Sequence, residues 1–227
     1  MIAAPRPQRR YQATLVLTLL GCLILAGPVA TRETFQINPK VLATVETRFG
    51  KEAVARLIRW QDLIRQDAST SDRQKLEKVN AFFNGMIRFV DDIVLYGVKD
   101  YWATPFEFIA RAAGDCEDFA IAKFFTLKAM GVAEEHLNIA YVKALQYNVS
   151  HMVLTYFSQP GAEPLILDNL VDSINPASQR TDLMPIFSFN GSGLWLAKER
   201  GKGKLAGSSS RLKAWDNLQQ RMAGNEL

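Results

Sequence analysis

The 227-residue sequence contains very little cysteine and histidine, with two residues of each. Cys22 falls among the first 30 residues, so Cys116 is the one cysteine in the rest of the chain. A single cysteine there cannot form an internal disulfide, which excludes a disulfide framework. An unpaired thiol in an oxidising compartment is a liability unless it has a chemical role, whereas a deeply buried thiol is inert. The position of Cys116 in the fold decides between these two interpretations.

The body of the chain also lacks an excess of positive charge. The sequence has 27 basic and 23 acidic residues, which gives a formal net charge of +4. Residues 1–30 carry three arginines and no acid, residues 198–227 carry seven basic and three acidic residues, and residues 31–197 carry 17 basic and 20 acidic residues. Because a nucleic-acid-binding domain needs a basic surface, this acidic body excludes nucleic acid as a partner. A composition of 48% hydrophobic and 22% charged residues excludes a wholly disordered chain and a multi-spanning membrane protein.

Long hydrophobic runs are scarce, and the one clear example covers residues 15–26. Three arginines precede it and small residues follow it, which is the pattern of an N-terminal export signal. We therefore predict a signal peptide over residues 1–30 and an exported mature protein. An uncleaved membrane anchor is the alternative, since residues 13–30 approach the length that spans a bilayer. The residues after Cys22 stay apolar, which argues against lipidation of that cysteine.

Apolar periodicity and capping residues divide residues 31–197 into helices followed by strands. Helical spacing occurs in residues 38–50, 54–64, 76–87, 104–113 and 115–131. Strand patterns occur in residues 137–145, 151–157 and 165–168, with further candidates at 185–189 and 194–197. Helices first and strands afterwards predict an α+β domain over residues 31–197, with its most apolar helix, after Gly114, packed on an antiparallel sheet. Residues 198–227 are basic and begin with small residues, and we predict a C-terminal tail there that is flexible or forms a loosely docked helix.

Three residues with suitable chemistry fall at the ends of these predicted elements. Cys116 lies in the first turn of the central helix, where unpaired backbone N–H groups and the helix dipole favour a thiolate. His151 opens the second strand and Asp168 closes the third. If the strands are neighbours packed on the helix, the three residues fill the roles of nucleophile, general base and orienting carboxylate. A histidine at a strand start is often only a surface residue, and Asp168 is also suited to capping a turn.

The residues around these positions are similar to a known family. The blocks Tyr101–Pro105, Gly114–Lys123, His151–Leu154 and Leu167–Asn169 resemble bacterial transglutaminase-like cysteine proteases, in particular the LapG type. This resemblance covers residues 35–195 and implies a papain-like, transglutaminase-like fold with Cys116, His151 and Asp168 as the catalytic triad. It also implies a periplasmic endopeptidase that cuts a large surface adhesin near its N-terminus, at a di-alanine site, and so promotes biofilm dispersal. It further implies control by an inner-membrane cyclic-di-GMP receptor of the LapD type, which sequesters the protease.

Three carboxylates surround the cysteine in the sequence. Asp115, Glu117 and Asp118 would raise the pKa of the thiol if their charges stayed uncompensated. A hard cation bound by their oxygens would remove this conflict, and Ca²⁺ is the natural extracytoplasmic choice. The resemblance also implies calcium dependence, with these three residues at the metal site. The alternative is that Asp115 and Asp118 are helix caps and that Glu117 is solvated.

Other functional classes remain open at this point. A transglutaminase-like acyl transferase would use the same triad but pass the thioester to an amine instead of water. A non-catalytic periplasmic binding module would use the cleft to hold a partner, but such a protein has no need of a cysteine at the helix start. A structural envelope protein would gain nothing from a free thiol.

Overall fold

The computed structural model describes residue 1 and residues 35–65, 70–198 and 201–223. The predicted export signal at 1–30, including Cys22, therefore lies outside the described residues except for Met1. None of the helices in the described ranges is both long enough and apolar enough to cross a membrane.

Helices make up the first half of the described chain, as their capping residues predict. Asn38 accepts a hydrogen bond from the N–H of Lys40 at 2.9 Å, and Thr104 and Glu107 form a capping box around Pro105. Gly50, with φ of 82°, ends the first helix in a conformation that favours glycine. The helices are α1 (Pro39–Phe49), α2 (Lys51–Arg65), α3 (Asp72–Met86), α4 (Asp92–Leu95), α5 (Pro105–Arg111), α6 (Cys116–Ala129) and α7 (Lys213–Ala223).

Strands make up most of the second half. Two short strands, β1 (Arg88–Phe89) and β2 (Ala113–Gly114), pair in parallel. The others are β3 (Leu137–Ala144), β4 (Val149–Tyr156), β5 (Leu165–Leu167), β6 (Asn175–Pro176), β7 (Leu183–Phe189), β8 (Leu194–Lys198) and β9 (Gly201–Gly207). They form one antiparallel sheet in the order β6-β5-β4-β3-β7-β8-β9. The predicted α+β class is confirmed.

Helix α6 packs against one face of this sheet and forms the centre of the core. Its side chains Phe119, Ile121 and Phe124 are at most 3% exposed and share a cluster with Leu154 of β4. Burial of a side chain of this size stabilises the fold by about 1.5–3 kcal/mol. The N-terminal end of α6 is thereby fixed against the start of β4, where the residues with candidate chemistry lie.

The C-terminal region differs from the flexible or loosely docked tail that we expected at 198–227. Residues 201–207 form strand β9, and α7 places Trp215 and Leu218 in the core, at 1% and 0% exposure. The Trp215 ring stacks on Phe125, with 5.7 Å between ring centroids. Trp215, Leu218 and Met222 recur at helical spacing, and this apolar stripe explains why the helix docks. The folded domain therefore extends beyond residue 197.

Candidate active site

Cys116 occupies the first position of α6, after the N-cap residue Asp115. Close packing requires glycine just before this turn, because a Cβ at Gly114 would lie 2.6 Å from the Phe108 ring. The half-buried thiol donates a hydrogen bond to Glu117 Oε2 at 3.1 Å, and the backbone of Met152 also hydrogen-bonds to the sulfur. The second contact places the cysteine beside the start of β4.

The chemistry around the thiol favours its protonated form. Burial, followed by the neighbouring carboxylates of Glu117 and Asp115, raises the pKa of Cys116, while the contact with Met152 lowers it. The sequence-based concern about uncompensated acids beside the cysteine therefore applies to the folded protein. A thiolate at this position needs a compensating positive charge.

His151 and Asp168 form a buried pair next to this cysteine. The distance between His151 Nε2 and Asp168 Oδ1 is 2.7 Å, and the two residues are 4% and 1% exposed. They come together because β4 and β5 are antiparallel neighbours, with Asp168 directly after β5. Since His151 uses Nε2 for the carboxylate, its Nδ1 is the ring nitrogen left for a reacting partner. Met152 follows His151 and contacts the thiol, so the structure brings Cys116, His151 and Asp168 to one end of β4.

Asp168 is held as a carboxylate. Burial alone would raise the pKa of Asp168, but the hydrogen bond and charge of His151, the N–H of Leu170 and the Arg180 guanidinium together lower it to about 2. The backbone carbonyl of Asp168 is fixed separately, by Asn84 Nδ2 at 2.8 Å and by Lys123 Nζ at 3.1 Å. Burial lowers the pKa of Lys123 itself to about 7.

A cluster of acidic side chains includes Glu117, the residue that accepts the thiol hydrogen bond. Carboxylate oxygens of Asp92, Asp115 and Asp118 lie within 4.8 Å of one another, and so do those of Asp92, Asp100 and Glu117. Within the described part of the chain, Asp92 Oδ1, Asp115 Oδ1 and Asp118 Oδ2 are buried and have no hydrogen-bond partner. Buried oxygens normally have partners, so these three atoms fit the ligand set of a hard cation such as Ca²⁺.

The pKa shifts in this cluster agree with that assignment. Burial, reinforced by neighbouring carboxylates, raises the pKa of Asp115 to about 10 and that of Asp92 to about 6. Burial also raises the pKa of Asp118 well above its usual range. A divalent cation would stabilise the ionised forms of these groups, since it supplies the opposite charge.

Capping of helix α6 explains only some of the contacts that Asp115 and Asp118 make. Asp115 has the N-cap position of α6, but its side chain makes no capping hydrogen bond. Asp118 Oδ1 accepts from the N–H of Ala103 at 2.7 Å, which leaves Oδ2 without a partner in the described structure. The capping interpretation therefore does not explain the free oxygens of either residue.

Sequence reasoning missed two members of the cluster. Asp92 lies at the start of α4, and Asp100 precedes the Tyr101–Pro105 block. Both are more than a dozen residues from Asp115 in the sequence, so spacing gave no signal for them. The N–H of Tyr101, the residue after Asp100, donates to Asp92 Oδ2 and so links the segment between α4 and α5 to the start of α4.

The side chains of Tyr101 and Trp102 are already engaged in hydrogen bonds. Tyr101 donates to Glu107 Oε1 at 2.8 Å, and Trp102 Nε1 donates to Asp100 Oδ1 at 2.9 Å. The backbone N–H groups in the first turn of α6 are thus the better candidates for stabilising an oxyanion next to Cys116.

The fold and this site define a cysteine proteinase of the transglutaminase-like class, and the comparisons agree. The sequence profile of the bacterial transglutaminase-like cysteine proteinases (BTLCP) matches residues 53–186, more than half of the chain. The chain belongs to this family. No curated protein sequence matches it.

Solved structures of one protein, LapG from Legionella pneumophila, are similar over most of the chain. One is 42% identical and has a TM-score of 0.70, covering 81% of this chain and 96% of that one. An EGTA-treated form is 43% identical, has a TM-score of 0.72 and covers the same shares. A calcium-bound form is 42% identical, has a TM-score of 0.69, and covers 82% of this chain and 99% of the other.

Proposed function

We propose that this chain is a calcium-dependent periplasmic cysteine endopeptidase that cleaves a large surface adhesin near its N-terminus, at a di-alanine site. One observation carries this proposal: Cys116 lies at the start of α6 and hydrogen-bonds to the backbone of Met152, which directly follows His151 of the buried His151–Asp168 pair. Release of the adhesin would promote biofilm dispersal. The similarity to LapG over nearly its whole length supports a shared activity.

The geometry suggests a role for each residue of the proposed triad. His151 accepts the thiol proton at Nδ1, and the Cys116 thiolate attacks the scissile carbonyl. Asp168 keeps the opposite ring nitrogen, Nε2, bonded and stabilises the imidazolium that forms. His151 then gives its proton to the leaving amine, and water hydrolyses the thioester to regenerate the thiol. The first-turn N–H groups of α6 stabilise the oxyanion of each tetrahedral intermediate.

The acidic cluster is the proposed calcium site. Asp92, Asp115 and Asp118 supply buried oxygens, while Asp100 and Glu117 lie beside them. Burial and then the neighbouring carboxylates raise the pKa of the Cys116 thiol, and calcium bound here would offset the second of these causes. Glu117 accepts the thiol hydrogen bond at 3.1 Å, so engagement of this carboxylate by a cation would release the sulfur toward His151.

Localisation and regulation extend this proposal. The predicted signal at residues 1–30 supports export, and an exported protease acting on an adhesin would work in the periplasm. Its proposed regulator is an inner-membrane cyclic-di-GMP receptor of the LapD type that sequesters the protease; the family resemblance supports this role.

Incubation of the purified protein with co-expressed adhesin fragments tests the proposal. We expect cleavage with calcium, none after EGTA treatment, and none with Cys116→Ala. Mass spectrometry of the new termini locates the bond, and cutting at a site other than two alanines would refute that specificity. A labelled amine added to the reaction separates hydrolysis from acyl transfer, because a transferase would attach the label to the acyl fragment.

A further inference from the structure

Arg180 is a buried arginine directly behind Asp168. It is 5% exposed and follows a short 3-10 turn at Ala177–Gln179. Its Nη2 donates to Asp168 Oδ2 at 2.7 Å and to Asp182 Oδ2 at 2.9 Å, and its Nε donates to Asp182 Oδ1 at 3.0 Å. The guanidinium therefore joins the carboxylate of the proposed triad to a second, partly exposed carboxylate, whose side chain is 41% accessible.

These contacts fix both oxygens of Asp168. Oδ1 is shared between His151 and the N–H of Leu170, at 2.7 and 3.0 Å, while Oδ2 faces Arg180. Asn84 and Lys123 hold the backbone carbonyl of this residue, but they do not set the rotation of the carboxylate plane. Arg180 supplies that restraint, because an ionised oxygen buried without a partner would be strongly unfavourable.

We propose that Arg180 is a positioning residue for the reaction and that Asp182 holds Arg180 in place. The inference rests on the proposed function, since the group that Arg180 positions is the carboxylate of the proposed triad. By fixing Asp168, Arg180 keeps the His151 ring turned so that Nδ1 faces the nucleophile. Arginine suits this task because its planar fork restricts both partners, whereas lysine offers a single rotatable ammonium.

Kinetics of three variants in the calcium-loaded full chain test this role. For Arg180→Ala we expect kcat to fall by about 100-fold with KM within about threefold of the parent, since a misplaced catalytic group slows chemistry more than binding. Arg180→Lys keeps the charge and should retain more activity than the alanine variant. Asp182→Asn leaves the contact between Arg180 and Asp168 in place and should lose the least activity of the three variants. Millimolar guanidinium should partly restore kcat of Arg180→Ala, which general destabilisation of the fold would not allow.

A spectroscopic measurement tests the same inference without a substrate. The chain has two histidines, so a His136→Gln variant assigns the ring protons of His151 by NMR. We expect the Nε2–H resonance of His151 to be shifted downfield by its hydrogen bond to Asp168, and to broaden or move upfield in Arg180→Ala. Arg56→Ala is the matched control, because Arg56 hydrogen-bonds to backbone carbonyls of Ile109 and Ala110.

The outcomes separate this inference from the proposed function. If the parent protein cleaves no adhesin fragment, the proposed function fails, and the NMR comparison alone decides on Arg180. A folded Arg180→Ala variant with parental kcat, or with an unchanged His151 resonance, overturns the positioning role. If Arg180→Ala does not fold, Arg180→Lys and Asp182→Asn decide: parental kcat and resonances in both would overturn it.

Discussion

At the scale of single residues, the arrangement of Cys116, His151 and Asp168 predicts a graded loss of activity. Replacing Cys116 by alanine removes the nucleophile, and replacing His151 removes the base, so each should lower kcat by about 10⁶-fold. Asp168→Asn retains the shape of the side chain but loses the charge that stabilises imidazolium. This variant should show a smaller fall in kcat, about 10⁴-fold. Cleavage of an adhesin fragment, followed in single-turnover conditions, measures these effects.

The second histidine provides the control for this series. His136 lies in a short 3-10 turn before β3, and its partly buried ring packs edge-on against Tyr156. His136→Ala should therefore leave kcat within a factor of about two, since it is outside the proposed triad. Near-parental turnover in Cys116→Ala would refute the cysteine-protease mechanism.

Lys123 predicts a distinct dependence of stability on pH. Burial lowers its pKa from 10.5 to about 7, so between these values the native state binds fewer protons at Lys123 than the unfolded state. The free energy of unfolding therefore rises with pH between about 7 and 10.5, and Lys123 contributes a slope that approaches about 1.4 kcal/mol per pH unit. Urea unfolding of the parent and of Lys123→Met from pH 7 to 9.5 measures this effect. The free energy of unfolding of the parent, minus that of Lys123→Met, should grow as the pH rises.

The change with pH is the diagnostic quantity in that experiment. At any one pH, Lys123→Met also loses hydrogen bonds to Asn80 and to the carbonyl of Asp168. Lys128→Met, on the same helix but partly exposed and paired with Glu134, controls for loss of a lysine. A free-energy difference between parent and Lys123→Met that is constant over the window would contradict the prediction.

At the scale of secondary-structure elements, α7 holds residues 101–107, which lead to the candidate site, through hydrogen bonds from Arg221. Arg221 donates to the Tyr101 hydroxyl at 2.9 Å, to Glu107 Oε2 at 2.8 Å and to the carbonyl of Trp102. That same segment hydrogen-bonds to Asp92 and Asp118 through the N–H groups of residues 101 and 103. Docking of α7 therefore helps to hold the acidic cluster together.

Loss of the main anchor of α7 should destabilise the whole domain. Trp215 is 1% exposed and contacts Phe124, Phe125 and Phe189, so Trp215→Ala should lower the free energy of unfolding by about 3–5 kcal/mol. Lys213→Ala, at the exposed first position of the same helix, should change it by no more than about 0.5 kcal/mol. Chemical denaturation measures both values, and equal small effects would show that residues 213–223 are only loosely attached.

The elements that sequence reasoning predicted are those with local signals. The capping box at Thr104 and Glu107 marks the start of α5, and runs rich in β-branched, aromatic and other apolar residues mark β3 and β4. The firm packing of α7 into the core was not predicted, because the small, basic residues before it resemble a flexible tail. They instead form β9, paired with β8.

The residues of the candidate site fall into the same two groups, those that local sequence patterns identify and those that only the folded chain brings to the site. Cys116 has a helix start to identify it, and His151 and Asp168 lie at or near strand ends. Asp92 joins the cluster only through folding of the α4–α5 segment. Arg180, which follows β6, reaches Asp168 at the end of β5 because these two strands pair. Contacts of this kind depend on tertiary packing, which residue spacing does not encode.

At the scale of the whole molecule, the acidic cluster couples metal binding to global stability. Asp92 belongs to α4 and Asp115 and Asp118 to the start of α6, so a cation held by all three crosslinks segments that are separate in the unfolded chain. A ligand that binds only the native state raises the unfolding free energy, by about 2.7 kcal/mol at 100 times its dissociation constant. The melting midpoint should therefore rise when calcium is added to EGTA-treated protein. Magnesium should produce a smaller rise, because it retains its waters and requires a compact octahedral shell.

Asp92→Asn tests whether the site includes a residue outside the Gly114–Lys123 block. Removing one of several crowded carboxylates relieves repulsion, so the metal-free variant should melt no lower than the metal-free parent. Its calcium-induced rise in melting midpoint should nevertheless be much smaller, since one ligand oxygen and one charge are lost. Asp62→Asn, on the exposed face of α2, should keep the full rise. Because the same cluster neighbours the thiol, calcium should speed the alkylation of Cys116 by iodoacetamide in the parent protein, and Asp92→Asn should lose most of this response. A parental calcium shift in both Asp92→Asn and Asp115→Asn would place any bound calcium elsewhere and leave these carboxylates without a metal-binding role.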